Sequence, residues 1–205
     1  MKIHGTAKGG ALSKKDFGVA FGGGGADELT CETGDEEEDN FVGQQVASGP
    51  NKFIQVIGFN PQTGNSFLDK TVDSITFYLK KRVSESSSPT GNVTVKIYNA
   101  SMAVQATSDT EIDSAEDLSE SYAAKTFEFS SSFTITEDYT YGVVSSDGTN
   151  NWNDSAGVEP QLSDGITSTG NRIKYNQDTD NDPTGTGTGG SWATFNKTIS
   201  VCFYV

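Results

Sequence analysis

DSITFYLKKRVSESSSPTGNVTVKIYN, residues 73–99, holds two runs in which apolar and polar side chains alternate. In the first, Ile75, Phe77 and Leu79 fall on one side, with Ser74, Thr76 and Lys80 mostly on the other. In the second, Val93, Val95 and Ile97 alternate with Thr94, Lys96 and Tyr98. Successive side chains of an extended chain point to opposite faces, so a period of two predicts a strand with one face buried. Between the runs lies Ser86-Ser87-Ser88-Pro89-Thr90-Gly91-Asn92, a cluster that turns the chain. The stretch therefore predicts an antiparallel hairpin that lays one face on a core.

The same period recurs outward from this pair. Strand signals run over Phe41–Val46 and over Lys52–Phe59, the latter ending at Asn60-Pro61. Phe127 and Phe129, then Phe133 and Ile135, then Tyr139, Tyr141 and Val143 continue it. Arg172–Tyr175 is a short strand, and Ile199, Val201, Phe203 and Val205 alternate to the end. Ser114 N-caps one helical turn through Leu118, with Asp117 at the third position. Residues 145–170 and 176–191 read as long polar loops. About nine or ten short strands and almost no helix predict an all-β fold: an antiparallel two-sheet β-sandwich of jelly-roll type.

Charge and composition narrow the chemistry. Fourteen basic against 28 acidic residues give the 205-residue chain a net charge of −14. Such a surface repels phosphate backbones and anionic headgroups, so neither nucleic acid nor a membrane is an expected partner. No stretch approaches the roughly 18 apolar residues of a membrane span. A single histidine, His4, makes a histidine-based nucleophilic triad improbable and excludes a His-rich zinc site; two cysteines exclude a four-cysteine one. Gly22–Gly25 lacks the Lys-Ser/Thr of a phosphate loop. Paired carboxylates remain as enzyme chemistry, but nothing in the sequence sets two of them across a cleft. The expectation is a protein that is not an enzyme.

Residues 1–40 differ from the body, residues 41–205. They hold Gly9-Gly10, Gly22–Gly25 and the acidic run Asp35–Asp39, and read as an extended Gly-rich arm on the sandwich domain. Phe17, Val19 and Phe21 alternate with Gly18 and Ala20, a short strand between flexible glycines. It is a candidate for docking on a neighbour's sheet edge or in a shell; the alternatives are a free tail and a first strand of the same domain. Cys31 and Cys202 either join the end of the arm to the last strand as a disulfide or remain two thiols.

Two further groups are candidate sites. Asp178, Asp180 and Asp182 alternate in DTDNDPTG and offer three carboxylates from one bend, a partial calcium shell. Pro183 and Gly189 stand where an EF-hand loop needs Gly and Glu, so that motif is excluded and a simpler calcium loop or a solvated acidic loop remains. Trp152, in a long polar loop, and Tyr175 are the aromatic candidates for a sugar platform, with burial or a protein interface as the alternatives.

DSITFYLKK (73–81), PTGNVTVKIYN (89–99), TFEF (126–129) and FTITEDYTYGVV (133–144) together resemble the jelly-roll domains of phage and archaeal-virus tail or surface proteins, and of secreted carbohydrate-binding or anchor-type domains. The resemblance spans about residues 42–205. Glu137-Asp138 departs from the small residue plus glycine usual at that turn, and Asn151-Trp152 resembles a loop aromatic preceding the closing strands. It implies a virion structural or surface subunit, a capsid decoration, fibre or tail-associated protein. Such a subunit assembles with itself and with other virion proteins through the arm, and displays the jelly roll for stabilisation or adhesion to host glycans. The alternatives are a secreted carbohydrate-binding module with a calcium-stiffened loop and a cell-surface filament subunit joined by strand exchange. No apolar run of a secretory signal stands at the N-terminus. The expected location is the virion surface, otherwise the cell surface or extracellular space.

Overall fold

The computed structural model describes residues 28–32, 40–45, 53–84, 87–146, 152–153, 155–164, 172–178, 191–195 and 197–204. Among them there are strands and turns and no helix. The strands are β1 (Glu28–Glu32), β2 (Phe53–Asn60), β3 (Thr71–Arg82), β4 (Asn92–Tyr98), β5 (Val104–Thr107), β6 (Ile112–Asp113) and β7 (Ala123–Thr134). Then come β8 (Thr140–Ser145), β9 (Gly157–Pro160), β10 (Leu162–Asp164), β11 (Arg172–Asp178), β12 (Ser191–Phe195), β13 (Lys197–Ile199) and β14 (Val201–Tyr204).

All strand pairings among the described residues are antiparallel. A five-stranded sheet runs β1-β14-β3-β7, with β9 also on β3. A seven-stranded sheet runs β12-β11-β2-β8-β4-β5, with β6 also on β4, and β10 with β13 forms a separate pair. This is the expected two-sheet sandwich. The expected hairpin over residues 73–99 is not formed: β3 lies in one sheet and β4 in the other. Both inner faces are buried as the alternation requires, with Ile75, Phe77 and Leu79 facing Val93, Val95 and Ile97 in one core. A period of two reports a buried face, not which sheet contributes it. Apart from β4 to β5 and β6, and β11 to β12, successive strands of the two large sheets alternate between them.

The core is rich in aromatic side chains. Phe59, Phe67, Tyr141 and Phe203 meet at centroid separations from 4.7 to 6.5 Å. Each such pair adds about 0.5–1.5 kcal/mol beyond its burial. Phe67 comes from a connection, where the Asn65 side chain accepts a hydrogen bond from its amide and turns the ring inward.

Elsewhere the elements differ from the sequence expectation. The strand expected at Phe41–Val46 is instead a strap. Val42 bridges Val158 of the five-stranded sheet, and Gln45 bridges Phe53 of the seven-stranded one. The chain passes from sheet to sheet at Gly43, whose φ is +103°, and a Cβ there would sit 2.8 Å from the Cβ of Trp152. The expected loop 145–170 contains β9 and β10; β9 is fully buried although it holds Gly157 and Pro160. At Gln161 the chain leaves β3 for β13. Gln161 N donates to Tyr78 O at 2.8 Å and Ser200 N to Gln161 O at 2.9 Å, so three strands share one junction. The turn near residue 114 is capped one position earlier than expected: Asp113 Oδ1 accepts from the amides of Ala115 and Glu116, and Ser114 is buried.

Candidate functional site at the N-terminal edge

The two edges of the five-stranded sheet are finished differently. Along β7, Phe133 pairs with Val72 and Glu128 with Ser74, so five steps on β7 match two on β3. That wide bulge breaks the edge. The backbone of Glu128 beyond the sheet is already engaged, since Asp109 N donates to its carbonyl at 2.8 Å and its own amide donates to Thr110 Oγ1 at 3.1 Å. Bulges and plugs of this kind keep an edge from pairing with a foreign strand.

The opposite edge is β1, and it lies within the segment 1–40, so the sheet begins inside the stretch read as arm. β14 is drawn into the sandwich by Val201 and Phe203, both completely buried. It pairs with β3 on one side and with β1 on the other. The register sets Cys31 directly opposite Cys202. Cys202 is disulfide-bonded and the chain has only two cysteines, which leaves Cys31 as the partner. Directly opposed residues of an antiparallel pair have Cα atoms about 4.5–5.5 Å apart, within the span of about 4.4–6.8 Å that a disulfide bridges. A bond closing so long a loop contributes about 2–5 kcal/mol in the chain-entropy account. The row continues inward through Thr76 and Thr126, whose hydroxyls lie 2.6 Å apart.

A second polar cluster lies where β3 meets β9. Glu159, with a side chain 3% exposed, pairs with Lys80 Nζ at 3.1 Å and lies 3.9 Å from Arg82 Nη1. Tyr122 Oη donates to Glu159 Oε1 at 2.6 Å. The Lys80 ammonium also sits 4.5 Å above the Tyr122 ring, and the Arg82 guanidinium 4.5 Å above Phe41. A carboxylate holding one hydroxyl and two cations is occupied, so this cluster fastens β9 and the Phe41 strap to β3 and offers no free base.

The aromatic expectation is corrected at Trp152. It is completely buried in the main core, because Gly43 lets the strap lie against it. Its ring has no face for a sugar. The aromatic pair on the outer face of the seven-stranded sheet is instead Tyr98 and Trp192, edge to face at 5.5 Å. Tyr98 lies across Gly142, where a Cβ would collide with Val56 Cγ1 and touch the Tyr98 ring at 3.5 Å. Val56, Tyr98 and Val144 form a small second core against which the half-buried Trp192 packs. Lys96 is nearly buried on β4; desolvation lowers its pKa, and the carboxylate of Glu111 partly offsets this. Nothing in the local pattern announced Trp192 as a strand residue, since β12 follows a run of glycines.

Tyr175 lies in β11 opposite Ile57 and Ala193, and Asp178 ends that strand opposite Phe53. Asp180, Asp182, Phe17, Val19 and Phe21 lie outside the described residues. Among the described residues no three His, Cys, Asp or Glu side chains form a cluster able to hold a metal. No protein-family model, no curated protein and no solved structure matches the chain.

Proposed function

We propose that the chain is a structural subunit of an extracellular assembly, a virion surface or tail-associated protein, that joins its particle or its neighbours through the N-terminal segment and displays the sandwich outward. The observation that carries this reading is the junction: the segment bearing Phe17, Val19 and Phe21 leads into an edge strand bonded covalently to the sheet. Load on the segment would then pass into β14 and β3 rather than peel a frayed end. Two features support it. Among the described residues Val104 is the one large hydrophobic side chain that is exposed, so they present little apolar surface for docking. A disulfide persists in an oxidising setting such as the outside of a cell or a virion. The role is assembly and adhesion, with no reaction to catalyse, and symmetric homo-oligomers are expected.

The test is the native mass by light scattering of the oxidised full chain beside a chain lacking residues 1–25. Removing residues 1–40 would also take away β1 and Cys31, so the shorter deletion is the informative one. The full chain is expected as a fixed oligomer or polymer and the shortened one as a monomer with the same melting temperature. Equal masses would refute assembly through the arm.

A further inference from the structure

We infer that the bond between Cys31 and Cys202 is a redox latch: closed, it holds β1 in its own sheet; open, it frees β1 and uncovers the edge of β14. The inference concerns one chain alone and stands whether or not the arm assembles particles.

Three observations carry it. First, β1 is attached on one side only. It pairs with β14 over four positions, with an irregularity between Glu28 and Thr30, and with no other strand among the described residues. Its sequence, Glu-Leu-Thr-Cys-Glu, holds two carboxylates and one large apolar side chain. A short edge strand of this kind gains few ladder bonds for the backbone freedom it loses, and so belongs to the least stable part of a sheet. Second, the strand it covers is the opposite. β14 is drawn into the sandwich by Val201 and Phe203, and β3 holds its other side in a four-position register. When β1 leaves, β14 stays and presents a row of unpaired backbone groups. Third, the bond falls inside the four-position ladder, one position from its Glu32 end, where it ties the weak strand to the strong one. The other edge of the same sheet is blunted by a bulge and by Asp109 and Thr110. The β1 side is therefore the edge that opens.

The chemistry balances as thiol–disulfide exchange. A disulfide oxidant such as glutathione disulfide takes two electrons and two protons from the two cysteine thiols, the protein sulfurs join, and two glutathione thiols leave. A dithiol reductant reverses this: its sulfurs join, and each cysteine sulfur regains a proton. In a reducing cytosol the chain would carry an open edge able to accept β1 of a second copy; oxidation would then lock whichever β1, its own or the second copy's, lies on β14.

Hydrogen exchange followed by mass spectrometry tests the latch on the full chain. Peptides covering 28–32 and 201–204 are compared with peptides from β2 and β8, for the oxidised protein, the protein in excess dithiothreitol, and the Cys31→Ser variant. The expected result is exchange at least tenfold faster in 28–32 on reduction and in the variant, a smaller rise in 201–204, and β2 and β8 still far better protected than 28–32, with only the even rise that the lost loop closure gives. Equal protection of 28–32 in all three samples would overturn the latch. Exchange in β2 and β8 as fast as in 28–32 on reduction would also overturn it, since the bond would then hold the whole fold. A parallel measurement keeps the inference testable if the variant folds poorly. Isotopically light and heavy copies are mixed reduced, reoxidised, and digested without reductant. Mixed light–heavy peptides joining residue 31 to residue 202 are expected after reduced mixing and absent after oxidised mixing; their absence in both would overturn strand opening.

Discussion

Replacing Trp152 with alanine separates a core residue from a ligand platform. The indole is completely buried, packed in the main cluster and against the Gly43 strap. A buried aromatic removes about 150–250 Å² from water; at about 25 cal/mol per Å² its loss costs about 4–6 kcal/mol. Measured Trp→Ala changes in cores cost about 3–5 kcal/mol. The whole domain has a stability of about 5–15 kcal/mol, so the variant loses a large fraction of it. For a chain of this size each kcal/mol shifts the melting temperature by about 2–4 °C. A loss of about 4 kcal/mol thus lowers it by about 8–16 °C. Trp192→Ala is the control: half-buried against Val56, Tyr98 and Val144, it should cost about 1–2 kcal/mol. Urea unfolding followed by far-ultraviolet circular dichroism reads both. In a Trp192→Phe background the emission of Trp152 should also be blue-shifted, as for an indole out of water. A Trp152→Ala protein melting within about 2 °C of the parent, or an emission like that of free indole, would refute the placement of this residue.

Two more outcomes follow from the polar groups. Glu159→Gln leaves the Lys80 ammonium, 14% exposed, without its counter-charge. Removing one member of a buried pair costs about 3–5 kcal/mol; solvent at Lys80 and Arg82 reduces this to about 1–3 kcal/mol. Calorimetry should show that loss, and Lys80→Met in the same chain should recover part of it; a change under about 0.5 kcal/mol would mean the cluster fastens nothing. Burial raises the phenol of Tyr98 above its ordinary 10.0. Tyr141 is raised by burial too, against a lowering from the Thr136 amide. Both keep their protons in the folded state where the unfolded chain loses them, so stability is full below about pH 10 and falls above it, by about 1.4 kcal/mol per pH unit for each tyrosine. Lys96, lowered by burial, acts in the opposite sense up to its ordinary 10.5; one lysine offsets only one of the two tyrosines, so the decline begins near pH 10 and steepens above 10.5. The urea midpoint should drop between pH 10 and 12 while two of the seven tyrosines resist ionisation until unfolding. Ionisation of all seven in the folded protein would contradict this.

Residues 75, 77 and 79, 93, 95 and 97, 141 and 143, and 199, 201 and 203 were readable as buried strand faces from the chain alone, since local alternation follows from backbone geometry. The all-β class follows from them, and composition by itself excludes a His-rich zinc site and a four-cysteine one. Tertiary structure alone decided the rest. β3 and β4 carry the pattern of a hairpin, yet they enter the core from opposite sheets. Trp152 and Phe67 sit in polar connections and still fill the interior, because Gly43 and Asn65 turn the backbone to admit them. Glu159 finds Lys80 and Tyr122 only once β9 lies on β3. Cys31 meets Cys202 only because the first strand closes the sheet on the last. Alternation is written within a few neighbouring residues. Pairing between residues 31 and 202 depends on how every strand between them is packed, and no short stretch of sequence holds that information.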